Sequence, residues 1–379
     1  MPDETLVMIP GPTPVVPRIL EALGRPTSSH VAPAFVETYR GCLADLKRIA
    51  FTESAHPFVV AGSGTLAMEM ALVNLVAPGE RILVVSQGFF GDRWTQLAQA
   101  FGIEVDPLQA EWGTAVTPEE LQHKLEAGSY TAVAMTHVDT STGTAAPIEA
   151  YCELLRGRDE MLLLDGVCAT AGMAERLDDW GLDVLLTGAQ KAFGTPPGVA
   201  ILLVSERGME RRKGRSSVPA YTADLLRWAP IMENPGLYFS TPPVNLIVAL
   251  SEAMKIMLEE GMEQRFARHA RSAKAIRTAL DAVGLECFTS PEHLADTLSV
   301  MRYPEGVDDA KFRTEMATQG VIVAGALGPI AGQAFRLGHM GNIGVPEVTR
   351  ALQAIETSLI RSGRKIEPGR ALEAARDLL

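Results

Sequence analysis

Lys191 stands in the string TGAQKAFGTPPG, directly after the apolar run Asp183 to Leu186. A strand that delivers a lysine into a Gly/Pro-rich turn holds an amine in a dry, rigid place, where it becomes a usable nucleophile. A Schiff-base lysine requires that setting. Twenty-six residues earlier a second apolar run, Met161 to Leu164, ends in Asp165, and a third, Phe58 to Val60, runs into AGSGT. An amine, a carboxylate able to face a ring nitrogen and a glycine-rich anion cradle are together the parts of a pyridoxal phosphate site. Singly each is ordinary, since most lysines are solvated and an aspartate after a strand often caps the next helix.

In AGSGTLAMEM, Gly62, Ser63 and Gly64 lead from a strand into a helix expected to start near Thr65. Helix starts offer unpaired N–H groups and a positive dipole end, and glycine lets a phosphate approach the backbone. The same letters spell GxGxxA at Gly62, Gly64 and Ala67, the loose form of a dinucleotide fingerprint and the basis of an alternative reading as an NAD-dependent oxidoreductase. That reading needs an acidic residue about 20 positions on to hold a ribose. The next strand ends instead in Ser86, Gln87 and Gly88, which favours a single phosphate. GFFGDRW places Phe89 and Phe90 in what reads as an exposed loop, where Phe90 could stack on a flat cofactor ring. Asp165 would keep a pyridine nitrogen protonated, and Lys191 would shuttle a proton as general base and acid. Arg336, in AFRLGHMG at an expected strand end, has the planar fork suited to a substrate carboxylate.

The elements that must position these residues follow from the apolar pattern. Short aliphatic runs recur at Phe58–Ala61, Arg81–Val85, Ala132–Thr136, Met161–Asp165, Asp183–Thr187 and Val199–Val204, separated by stretches with helical spacing. Continuous rather than alternating apolar strands predict a mainly parallel α/β sheet sandwiched by helices, with functional residues just beyond the strand carboxyl ends. A long amphipathic stretch from about Ser251 to Val283, broken near Gly261, then leads to a different pattern. Strands are expected at Leu298–Arg302, Gly320–Ala324 and Ala334–Leu337, with helices at Asp308–Thr318 and from about Pro346, and a peripheral helix in the tail after Ile360. This predicts an N-terminal arm over 1–15, a large domain over 16–258 and a smaller α+β domain over 259–379.

Composition narrows the partners. The 379 residues are 47% apolar and carry a formal charge of −12, from 34 basic and 46 acidic residues, so there is no basic footprint for nucleic acid or an anionic membrane. No run reaches the ~18 apolar residues needed to span a bilayer, and the start MPDETLVMIPGP lacks the features of a secretion signal. A cytoplasmic protein is expected. Cys42, Cys152, Cys168 and Cys287 have no metal-ligand or CxxC spacing and read as buried thiols, and the histidines form no metal motif.

Over about Leu6 to Leu359 the chain resembles the class V aminotransferases of fold type I, especially the alanine/serine:glyoxylate (or pyruvate) enzymes. The resemblance rests on PGPTP (10–14), GSGTLAME (62–69), GFFGDRW (88–94), THVDTSTG (136–143), LLLDGV (162–167), GAQKAFGTPPG (188–198), YFSTPPV (238–244) and FRLGHMG (335–341). It implies pyridoxal 5'-phosphate as cofactor and a ping-pong exchange between a small amino acid and a 2-oxo acid. It implies that Lys191 is the Schiff-base lysine and Asp165 the pyridine partner, with Ser63, Gly64 and Thr65 on the phosphate. Phe90 would stack on the ring, Gln190 and Thr140 would contact the cofactor, and Arg336 would clamp the carboxylate. Gly11 would line the substrate pocket. Tyr238 and Thr241 would reach the phosphate of the neighbouring subunit, which implies a homodimer with shared sites. Two places depart from the pattern: His30 is followed by Val31 where His-Arg is common, and GVCATAG follows Asp165, so Ala169 lacks a hydroxyl expected near the ring. These bear on the amino donor, and ureidoglycine:glyoxylate and aminoethylphosphonate:pyruvate exchange are the alternatives within the family. Cysteine desulfuration on the same fold would need a mobile-loop cysteine after Lys191, where only Cys287, before an apparent strand, occurs.

Overall fold

The computed structural model describes residues 5–379; the first four residues of the expected arm, Asp3 and Glu4 among them, lie outside the described residues. Seven strands form the central sheet, in the spatial order His56–Gly62, Gly198–Val204, Val184–Gly188, Met161–Asp165, Ala132–Thr136, Arg81–Ser86 and Glu104–Gln109. Successive side chains of each strand enter two different cores. Val59, Leu83, Val133, Leu164 and Ile201 face one, and Phe58, Val84, Ala134, Leu163 and Leu202 face the other. Both faces are therefore covered, which is why the runs are continuously apolar. Six strands share one direction, and Gly198–Val204 runs antiparallel to both of its neighbours.

Glu104–Gln109 is a strand that the apolar pattern does not announce. Its sequence EVDPLQ is largely polar and contains Pro107, and it lies at the sheet edge, where polar residues and proline are tolerated.

The long helical stretch begins at Val244, earlier than expected, and divides into helices Val244–Glu260 and Met262–Ala282 at Gly261, whose φ of 84° suits glycine. A second sheet orders Glu286–Cys287, Leu298–Arg302, Ala334–Gly338 and Ala324–Gly325. The expected strand Gly320–Ala324 is in fact two. Val321–Ile322 pairs in parallel with Leu6–Val7 near the N-terminus, while Ala324–Gly325 pairs with Phe335 and Arg336. A third apolar cluster joins Leu6 and Met8 to Phe312, Phe335 and the buried face of helix Val345–Arg361. The tail helix Arg370–Ala375 packs there through Ala371 and Ala375. Cys287 sits on a paired strand opposite Met301, which denies it the mobile loop that desulfuration requires. Among the described residues no helix is long and apolar enough to cross a membrane.

Candidate active site

Strand ends on one edge of the central sheet bring the expected residues together. Ser63, Gly64, Thr65, Phe90, Thr140, Asp165, Gln190 and Lys191 all line one cavity of about 150 Å³. Gly64–Leu75 is a helix whose N-cap is Ser63, so the free N–H groups of its first turn open toward that cavity. Gly64 is required by space, since a Cβ there would stand 2.7 Å from Val167 Cγ2.

Lys191 follows the strand Val184–Gly188 and is buried. Its ammonium donates to the carbonyl of Pro10. Thr13 Oγ1 donates to the Lys191 carbonyl at 2.7 Å, and Thr13 N–H donates to the Gln190 carbonyl at 3.0 Å. From behind, the fully buried Arg265 donates to the carbonyl of Ala192 at 2.7 Å and to that of Ala171 at 2.9 Å. The turn is thus held from two sides. Gly11 packs on Lys191 itself, because its φ is 98° and a Cβ there would lie 2.4 Å from Lys191 Cδ.

Asp165 is the last residue of its strand and accepts the Val167 N–H at 2.8 Å. Burial pushes its carboxyl up to about 7, with the Asp139 and Glu175 charges adding to the rise; the Val167 hydrogen bond and the Lys191 charge oppose it. A cationic N–H group opposite it would restore the carboxylate. Beyond it, Cys168 rather than Ala169 lines the cavity, and the loop is braced by Glu175, which accepts from Thr170 Oγ1 at 2.6 Å and pairs with His137 Nδ1 at 2.7 Å.

The phenylalanines are not in a loop. Phe89–Ala100 is a helix that starts on them, and its N-cap, Gly88, has no side chain to offer. Asp139, fully buried and absent from the sequence-based site, takes over this role: its Oδ2 accepts the N–H groups of Phe90 at 2.8 Å and Gly91 at 2.9 Å, and its Oδ1 accepts that of Ser141 at 2.9 Å. The same helix brings in Arg93, also missed, which lines the cavity and donates to Thr65 Oγ1 at 3.2 Å. Both lay inside quoted motifs, Asp139 in THVDTSTG and Arg93 in GFFGDRW.

Besides Gly11, which packs on Lys191, three expected residues are not among those that line this cavity. Arg336 lies in the middle of strand Ala334–Gly338, not at its end; it donates to the Gly325 carbonyl at 2.8 Å and to that of Thr140 at 3.3 Å. Tyr238, 64% exposed, meets Thr241 Oγ1 at 3.5 Å and lies tilted against the ring of His30, with centroids 5.5 Å apart.

An amine and a carboxylate facing one cavity, with a helix start at its other wall, suit a flat aldehyde-bearing heterocycle with an anionic tail. Gln190 Oε1, buried without a hydrogen-bond partner, marks a polar position that such a group would complete. Among the described residues no cluster of His, Cys, Asp or Glu could hold a metal ion.

The family described as Aminotransferase class-V matches residues 20–351, and the chain belongs to it. It is an aminotransferase on a mixed α/β fold with a mostly parallel central sheet. Similar proteins include the L-aspartate–glyoxylate aminotransferase of Paracoccus denitrificans, 32% identical over 100% of this chain and 96% of that one. The serine–glyoxylate aminotransferase of Methylorubrum extorquens is also 32% identical, over 100% of this chain and 96% of its own. The solved ureidoglycine-glyoxylate aminotransferase of Bacillus subtilis superposes with a TM-score of 0.94 at 28% identity, covering 100% of this chain and 98% of that one.

Proposed function

We propose that the chain uses pyridoxal 5'-phosphate to move an amino group from a small L-amino acid, alanine or serine, to glyoxylate or pyruvate by a ping-pong mechanism. The observation that carries the reading is the convergence of Lys191, Asp165 and the helix start Ser63–Thr65 on one cavity. When bound, the cofactor supplies an electron sink for a substrate carbanion. Ser63, Gly64 and Thr65 would hold its phosphate, Phe90 would cover one ring face, and Gln190 and Thr140 would orient it. Asp165 would hold the proton on the ring nitrogen. Lys191 Nζ would accept the proton leaving the substrate Cα and return it during the exchange. Arg336 would fix the carboxylate that donor and acceptor share, and Gly11 would keep the pocket wall thin beside the amine. Tyr238 and Thr241, exposed on their own subunit, would complete the site of a second copy in a homodimer. The division into an arm over 1–15, a large domain over 16–258 and a small domain over 259–379, and a cytoplasmic location, belong to the same proposal.

The three related enzymes share glyoxylate in their names and differ in the donor, which supports glyoxylate as acceptor more firmly than any one donor. Ureidoglycine is the second reading, supported by the structural likeness to the B. subtilis enzyme. A panel of alanine, serine, aspartate, ureidoglycine and aminoethylphosphonate against glyoxylate and pyruvate tests the assignment. Alanine or serine with glyoxylate should give the highest kcat/KM; a preference for ureidoglycine by tenfold or more would transfer the assignment to the second reading.

A further inference from the structure

We infer that Arg93 is the counter-ion of the cofactor phosphate. This inference rests on the pyridoxal phosphate reading and deepens it. A phosphate monoester carries about −1.5 to −2 charges at neutral pH. A helix N-terminus supplies the equivalent of only about half a positive charge, so the turn at Ser63–Thr65 leaves most of that charge unbalanced. Among the described residues two cations line the cavity, Lys191 and Arg93. Lys191 is fastened at the Pro10 side of the cavity and is assigned to the reacting end. Arg93 stands at the other wall, its Nη1 3.2 Å from Thr65 Oγ1 on the helix start that forms the cradle.

Its position is fixed by surroundings that leave its charge available. The guanidinium lies 4.8 Å from the centre of the Phe90 ring and 5.3 Å from that of Phe89, an arrangement that orients the fork without neutralising it. Neighbouring Asp92 is engaged elsewhere, accepting from Ser86 Oγ at 2.8 Å and Gln109 Nε2 at 2.7 Å. Arg93 is thus a cation bonded to a hydroxyl and stacked on rings at the mouth of an anion cradle. A planar fork there can pair with two phosphate oxygens.

The test measures binding to cofactor-stripped protein. Titration with pyridoxal phosphate and with pyridoxal, which lacks the phosphate, should show that Arg93→Gln weakens the phosphorylated ligand roughly 10- to 100-fold and leaves pyridoxal binding unchanged. Arg93→Lys should restore most of the affinity, since it keeps the charge but loses the fork. Should Arg93→Gln fail to fold, Arg93→Met takes its place as the neutral variant, with the same loss expected for the phosphorylated ligand alone. Equal weakening of both ligands in the neutral variant would mean that Arg93 only seats Phe90, and no change for the phosphate form in that variant would also overturn the inference. Failure of the underlying reading looks different: wild-type protein would then bind neither ligand.

Discussion

The hydroxyl of Thr13 donates to the backbone carbonyl of Lys191 at 2.7 Å, so the N-terminal segment fastens the turn that presents the amine. That segment also pairs Leu6 and Val7 with Val321 and Ile322, and Gly338 N–H donates to the Met8 carbonyl at 2.8 Å. One stretch of chain therefore links the strand bearing Arg336 to the turn bearing Lys191.

Gly11 is the tightest point of this linkage. Gly11→Ala would place a Cβ 2.4 Å from Lys191 Cδ at a φ of 98°. It should destabilise the fold by about 1–2 kcal/mol for the backbone alone and displace the amine. Thermal melting should show the first effect, and a lower yield of borohydride-fixed pyridoxyl group the second. Wild-type labelling in this variant would mean that the lysine tolerates displacement.

Asp165→Asn should keep the fold and lose activity by on the order of 10²-fold or more, equivalent to ~3 kcal/mol, because an amide cannot hold the ring nitrogen protonated as a carboxylate does. Full activity would reduce Asp165 to a cap for the loop that follows.

The same carboxyl sets a pH dependence in cofactor-free protein. Burial pushes it up to about 7, against an ordinary value near ~4. Between the two, the folded chain keeps a proton that the unfolded chain has released, so stability falls as pH rises through that window and stays lower above it. Burial raises Asp139 as well, which adds a falling slope to both proteins, and holds His269 and His339 well below the ordinary imidazole range, which adds a rising one. The change in melting temperature from pH 5 to pH 8 should therefore be more negative in the wild type than in Asp165→Asn. The difference between them isolates Asp165, and identical slopes would contradict its assignment as a buried, unpaired acid.

Much of this site is legible in the sequence because its parts follow continuous apolar strands. Phe58–Val60, Met161–Leu164 and Val184–Leu186 are buried on both faces, and each delivers its candidate residue at the same sheet edge. What stays hidden depends on information that local pattern does not carry. Nothing in GVAILLV fixes the direction in which Gly198–Val204 runs, and EVDPLQ reads as loop because an edge strand need not be apolar. Asp139 escapes notice because it caps a helix 48 residues away in sequence, at Gly91. Arg93 escapes because its partner Thr65 lies 28 residues back. The two phenylalanines look like loop residues because the helix they begin lacks a cap of its own.

Asp139→Ala would strip the N–H groups of Phe90 and Gly91 of their acceptor inside a buried region. The expected loss is about 2–4 kcal/mol, read by urea denaturation, for a buried acceptor serving several donors. A change below about 0.5 kcal/mol, the range of surface substitutions, would show that the helix start is held by other means.

Arg336→Lys should lower kcat/KM for donor and acceptor alike by ~1.5 to 3 kcal/mol, since one pocket takes both carboxylates in turn and a lysine lacks the planar fork. Single-turnover measurements of each half-reaction decide this, with cofactor content expected to stay near wild type. A defect in one half-reaction only would remove Arg336 from the shared carboxylate.

The central claim is that Lys191 carries the cofactor, and borohydride reduction of the holoenzyme followed by peptide mapping tests it most directly. The account predicts a single pyridoxyl-modified peptide spanning GAQKAFGTPPG, modified at Lys191 and absent from Lys191→Ala, which should fold but not turn over. A pyridoxyl group on any other lysine of the wild-type chain would contradict it.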